Sequence, residues 1–221
     1  HWYNLSYFSV VIFVRVRRRK NLPLCGQSLP MNQRDRTATL AKTDFSAALK
    51  LARDITEVRE RIQSLGWVAR YAPSTEISRV VAIATKSAGT SSDFYADTMA
   101  LAWPLRALHE TGNGDAIPPL LKTALSLSAD VHPASSRAEA LSLLIHAVLP
   151  DGLRTAEPAI GTLKSVASDS HWRVVRSLID TALLVNAFDR QSALNVAQVI
   201  PAENKRNSTI KRISEGETLQ P

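Results

Sequence analysis

Imidazole titrates near neutral pH and is the commonest metal ligand, so the histidines are the first side chains to test for chemistry. Four of the five lie in the body of the chain, at His109, His132, His146 and His171. No two of them have the H-x-x-x-H spacing that puts both rings on one helix face, so no metal centre is expected. His109 and His146 fall near the ends of apolar helical runs, where a partly charged ring complements the helix dipole, and His132 precedes a proline in a loop. Cys25, the single cysteine, excludes an intramolecular disulfide and has no histidine-rich context to activate its thiol. Asp93 and Asp97 are spaced i, i+4, but first helical turns favour acids for electrostatic reasons alone. Gly112-Asn113-Gly114 lacks the G-x-x-x-x-G-K-[ST] pattern of a phosphate cradle and reads as a helix stop. No catalytic residue, cofactor or metal is expected, and the chain reads as a non-enzyme.

The densest group of interaction-capable side chains is His171, Trp172, Arg173 and Arg176. Tryptophan and arginine are the types most enriched at binding hot spots, which makes Trp172, Arg173 and Arg176 the candidate partner-binding set. Trp172 and Arg176 share a helix face at i, i+4, while Arg173 points about 100° away from Trp172. The competing reading packs Trp172 on a neighbouring element, with Arg176 covering it and pairing with Asp180. A second set, Lys205, Arg206, Lys211 and Arg212, clusters beside Glu203 alone and could contact phosphates. Its ordinary reading is the solvated face of a terminal helix, and the looser group Arg34, Arg36 and Lys42 reads the same way.

Helices must hold these side chains. From Thr43 onward apolar residues recur at helical spacing, as in Phe45, Ala48, Leu49 and Ala52, and later Val175, Leu178, Ala182 and Val185. Pro73 ends one run, Asp93 and Asp189 cap others, and Pro104 predicts a kink inside the run ending at Gly112. Ser136 and Glu139 have the spacing of a capping box. The major breaks at Pro73, Asn113, Asp151 and Asp189 lie 40, 38 and 38 residues apart, grouping ten helices into five hairpins. A 38-residue period predicts an all-α superhelix of stacked antiparallel hairpins, an α-solenoid with a concave face.

The stretch Asp169-Ser170-His171-Trp172-Arg173-Val174-Val175-Arg176, continuing to Ile179, Ala182 and Leu183, resembles the second half of a HEAT repeat. Ser136–Leu141 and Glu57–Arg59 are looser echoes of it. The architecture is equally similar to tetratricopeptide repeats, although the tryptophan-leucine-glycine signature of those repeats is missing. The resemblance implies a binding scaffold that takes a protein or peptide on its concave face. A HEAT-like family of DNA-repair glycosylases supplies the alternative, a nucleic-acid-binding array without sequence preference, but none of its catalytic residues can be placed in this chain.

The domain reading is a basic and apolar N-terminal tail over 1–42 outside the fold, a repeat domain over 43–213 and a C-terminal tail over 214–221. With 45% apolar residues, 221 positions suffice for one self-sufficient core. The net charge is +7, yet residues 1–30 hold five cations and no acid, leaving 22 cations against 20 acids beyond them. The apolar run from Trp2 to Val14 falls short of the roughly 20 residues a membrane span needs, and its basic residues follow it, unlike those of a signal peptide. Three readings stay open for this segment: the end of a truncated span, sequence preceding a native start at Met31, or an unstructured tail. A membrane partner follows only from the first; otherwise a cytoplasmic monomer is expected.

Overall fold

The computed structural model describes residues 32–220. Cys25 and every reading of the N-terminal thirty residues lie outside the described residues. Those described form twelve α-helices, two short 3-10 turns and no strand. The helices are α1 (Gln33–Ala41), α2 (Phe45–Asp54), α3 (Val58–Tyr71), α4 (Ser74–Ser87), α5 (Phe94–Ala100) and α6 (Ala102–Glu110). They continue with α7 (Ile117–Ser128), α8 (Ala134–Val148), α9 (Leu153–Ser165), α10 (Trp172–Val185), α11 (Arg190–Ala197) and α12 (Glu203–Ser214).

Short polar side chains start many of them. Asp44, Asp93 and Asp189 accept the backbone N–H of Ala47, Ala96 and Ser192 at 2.9, 2.9 and 2.7 Å, each satisfying one of the unpaired donors of a first turn. Helix α6 stops where Gly112 adopts φ 72°: its N–H donates to the His109 carbonyl at 3.0 Å, and that of Asn113 to the Leu108 carbonyl at 2.8 Å. A side chain would be strained at that φ, so the glycine is what permits this stop. Helix α1 falls within the stretch the apolar pattern leaves to the N-terminal tail. Only Thr37 and Ala41 of its residues are buried, so it has almost no stripe to read.

The fold is all-α, but it is not the expected solenoid of five hairpins repeating every 38 residues. Helices α1, α3, α6, α8, α10 and α12 lie each against the next, with the intervening helices packed on them. These six start at residues 33, 58, 102, 134, 172 and 203, so the intervals run 25, 44, 32, 38 and 31. Helix α5 departs furthest from a hairpin scheme, since it reaches α3, α7 and α8. The packing is compact and non-periodic.

Two residues explain much of that irregularity. Pro104 has no N–H for the carbonyl of Ala100 and its ring crowds that oxygen, so the predicted single helix becomes α5 and α6 with a break at Leu101. Gly66 lets α3 and α6 touch backbone to backbone, because a Cβ there would lie 2.6 Å from Trp103 Cβ and 2.9 Å from Pro104 N. Around this crossing Ile62, Leu65, Leu105, Leu108, Leu141 and Leu144 are fully buried, each worth roughly 1.5–3 kcal/mol of transfer free energy.

Candidate functional site

The site begins at the N-terminus of α10. Asp169 Oδ1 accepts the His171 N–H at 2.7 Å, and His171 Nδ1 accepts the Arg173 N–H at 3.3 Å, so His171 caps the helix. Trp172 opens the first turn and is 60% exposed. Its ring centroid lies 5.8 Å from that of His171, and the Arg173 guanidinium carbon lies 5.5 Å from the indole centroid. At that range and exposure a cation–π contact contributes about 0.5–1 kcal/mol.

Arg173 also reaches Glu139 of α8, Nη1 to Oε2 at 3.5 Å, and the same Oε2 accepts the Tyr95 hydroxyl of α5 at 3.2 Å. Burial pushes the Tyr95 phenol up to about 12, the Glu139 charge and hydrogen bond add to that, and Arg173 opposes it. One carboxylate therefore joins α5, α8 and α10 beneath the exposed indole. Glu139 is free for this because α8 starts at Ala134 with Pro133 before it and no side-chain cap, so the Ser136–Glu139 capping box does not form.

Of the three candidate binding residues, the structure brings Trp172 and Arg173 together and sends Arg176 elsewhere. Arg176 Nε lies 3.5 Å from Asp180 Oδ2, the pairing anticipated from their spacing. Burial pushes the Asp180 carboxyl up, while Arg176 and Arg212 pull it down. Tyr95 is not singled out by the sequence reading, and Glu139 is read there only as a capping-box residue; 44 positions separate the two, and nothing in the sequence marks their contact.

The basic set near the C-terminus is mostly engaged within the chain. Arg206 Nη1 donates to the Ile200 carbonyl at 3.1 Å, and Lys211 Nζ lies 3.8 Å from Glu215 Oε1. Arg212 grips Glu217 through Nε and Nη2, Nε to Oε2 at 2.7 Å, which raises the guanidinium pKa and lowers that of the carboxylate. Lys205 is exposed. The Asp93/Asp97 pair is divided: Asp93 caps α5, and buried Asp97 accepts the Gly89 N–H at 2.8 Å. His109 Nδ1 lies 3.7 Å from Asp151 Oδ1, and burial together with the Arg106 charge pulls the His146 pKa down. Among the described residues no group of three His, Cys, Asp or Glu side chains could hold a metal ion. The Arg70 guanidinium lies 4.3 Å over the half-buried Trp67 ring, so that indole serves the interior.

The fold has a counterpart among solved structures. It is similar to the crystal structure of Ton1535 from Thermococcus onnurineus NA1. The match has a TM-score of 0.52 at 13% identity and covers 83% of this chain and 58% of that one. Identity this low shows the all-α fold alone, and the chain spans well under two thirds of its counterpart's length. No family model and no curated protein matches the chain, so the HEAT-like or tetratricopeptide-like reading gains no support from either comparison.

Proposed function

We propose that this chain is a non-catalytic, all-helical scaffold that binds a protein or peptide partner at the surface centred on Trp172. One observation carries the reading: a 60% exposed indole at the first turn of α10, beside a guanidinium anchored to another helix. Leaving so large an apolar surface in water stabilises nothing in the isolated chain, whereas tryptophan and arginine are the commonest interface anchors. Arg173 is held by Glu139 and lies against the Trp172 ring, which reduces the side-chain freedom to be lost on association. No described helix is long and apolar enough to cross a membrane.

The test pairs binding with stability. Trp172→Ala should weaken a purified partner, first found by crosslinking from position 172, about tenfold or more. The melting temperature should stay unchanged. A large drop in melting temperature would assign Trp172 to the interior, and unchanged affinity in a folded variant would remove this surface from the interface. Steeply salt-dependent binding of arbitrary duplex DNA at about 0.1 M salt, with no protein partner, would replace this reading by the nucleic-acid alternative.

A further inference from the structure

A second surface lies between α7 and α9. There Pro118, Leu121, Lys122 and Leu125 of one helix face Arg154 and Pro158 of the other across a groove of about 460 Å³. Leu121 is 2% exposed and forms the floor, whereas Pro118, Lys122, Arg154 and Pro158 are exposed along the rim. No acidic side chain lines the groove. Neither Lys122 nor Arg154 has an ion-pair or hydrogen-bond partner for its side chain among the described residues. The groove between α2 and α4 is different in kind: Asp54 and Glu76 line it with its cations, and Glu76 already pairs with Arg79 at 3.1 Å. Unlike it, the α7/α9 groove combines an apolar floor with cations from both walls and no acidic lining residue.

We propose that this groove docks an acidic, apolar peptide segment of a partner protein. Its apolar side chains would cover Pro118, Leu125 and Pro158 above Leu121, with carboxylates meeting Lys122 and Arg154. The exposed rim argues for a peptide, because a small-molecule site encloses roughly 70–90% of its ligand and this one is open. A segment lying along two helices needs contact on one face only. Unpaired cations on both walls orient the segment and speed its encounter.

The experiment titrates the full-length chain with a short fluorescein-labelled peptide of Glu, Leu and Phe, against the same peptide with Lys for Glu. The acidic peptide should bind and the basic one should not. The double variant Lys122→Glu/Arg154→Glu should weaken binding about tenfold or more, with helical content unchanged because both side chains are exposed and unpaired. Trp172→Ala should leave this binding as it is, which keeps the test independent of the surface around α10. Equal affinity for both peptides, or an acidic peptide indifferent to the double variant, would overturn the proposal. So would decanoate shifting the Leu121 and Leu125 methyl resonances where the peptide does not, since the occupant would then be a small amphiphile.

Discussion

Tyr95, Glu139 and Arg173 show what a single carboxylate does when three helices bring donors to it. Glu139 accepts from the phenol and pairs with the guanidinium that lies against Trp172. The phenol is raised from 10.0 to about 12, burial first and Glu139 second. Glu139→Gln should therefore lower the Tyr95 ionisation midpoint toward 10 without reaching it, since burial stays; phenolate absorbance, with Tyr95→Phe to assign the signal, measures this. A tyrosine whose folded pKa is raised keeps its proton in the native state while the unfolded chain loses it, so stability falls as pH climbs from 10 through about 12. His146 works at the other end of the scale. Its pKa is pulled below 6.5 by burial and Arg106, so the unfolded chain binds the proton first and stability falls as pH drops below 6.5. Denaturant melts of His146→Gln should lose that acid slope, and an unchanged slope would place its origin elsewhere. Trp172 and Arg173 were readable as residues of interest from type alone. Their acidic and phenolic neighbours were not, because a contact across 44 positions is made by packing and leaves no local trace.

At the scale of elements, many helices announce themselves through caps and stops, and each exception has its own cause. Asp93 and Asp189 cap the helices expected of them, and Asp44 does the same for α2 without having been singled out. Helix α1 is hidden by its polar composition, and the α5–α6 break falls at Leu101, a turn before the proline that causes it. The Ser136–Glu139 spacing misleads because its glutamate turns to a tertiary partner. Gly66 is the element-scale feature with the clearest consequence. In an exposed helix Gly→Ala gains about 1 kcal/mol of propensity. Here the added methyl would meet Trp103 Cβ at 2.6 Å, with Pro104 N at 2.9 Å, and backbone has little room to give. Gly66→Ala should lower stability by roughly 1–3 kcal/mol in urea melts, the range for overpacking a close contact. A variant as stable as the parent would mean that α3 and α6 can slide apart at no cost.

For the whole molecule, the net charge of +7 says little about partners. Five cations precede residue 31 without an acid, the rest of the chain is nearly balanced, and three of the four basic candidates near the C-terminus turn to acceptors of their own chain. The helical class was readable because periodicity is local, but the arrangement was not, since evenly spaced breaks do not reveal which helix crosses which. What closes the molecule at its C-terminal end is equally invisible in the spacing. After α12 the chain reverses at Gly216, φ 84°, and runs back over α10: Leu219 N–H donates to the Leu183 carbonyl at 3.2 Å, and Asn186 Nδ2 to the Glu217 carbonyl at 2.9 Å. Leu183 is among the last four residues before Asn186, whose carbonyls have no partner within the helix, so the returning segment satisfies a group the helix cannot. A chain ending at Glu215 loses that donor and the Glu217 partner of Arg212 together, which should cost about 1–3 kcal/mol for the acceptor left unpaired. The loss should be uneven, because α12 packs mainly on α10 and α11, whereas α3 and α6 sit among neighbours on both sides. Hydrogen exchange on the truncated chain should quicken in α12 and the last turn of α10 and stay slow at Leu65 and Leu105. Equal acceleration everywhere would show instead that the segment stabilises the fold only as a single cooperative unit.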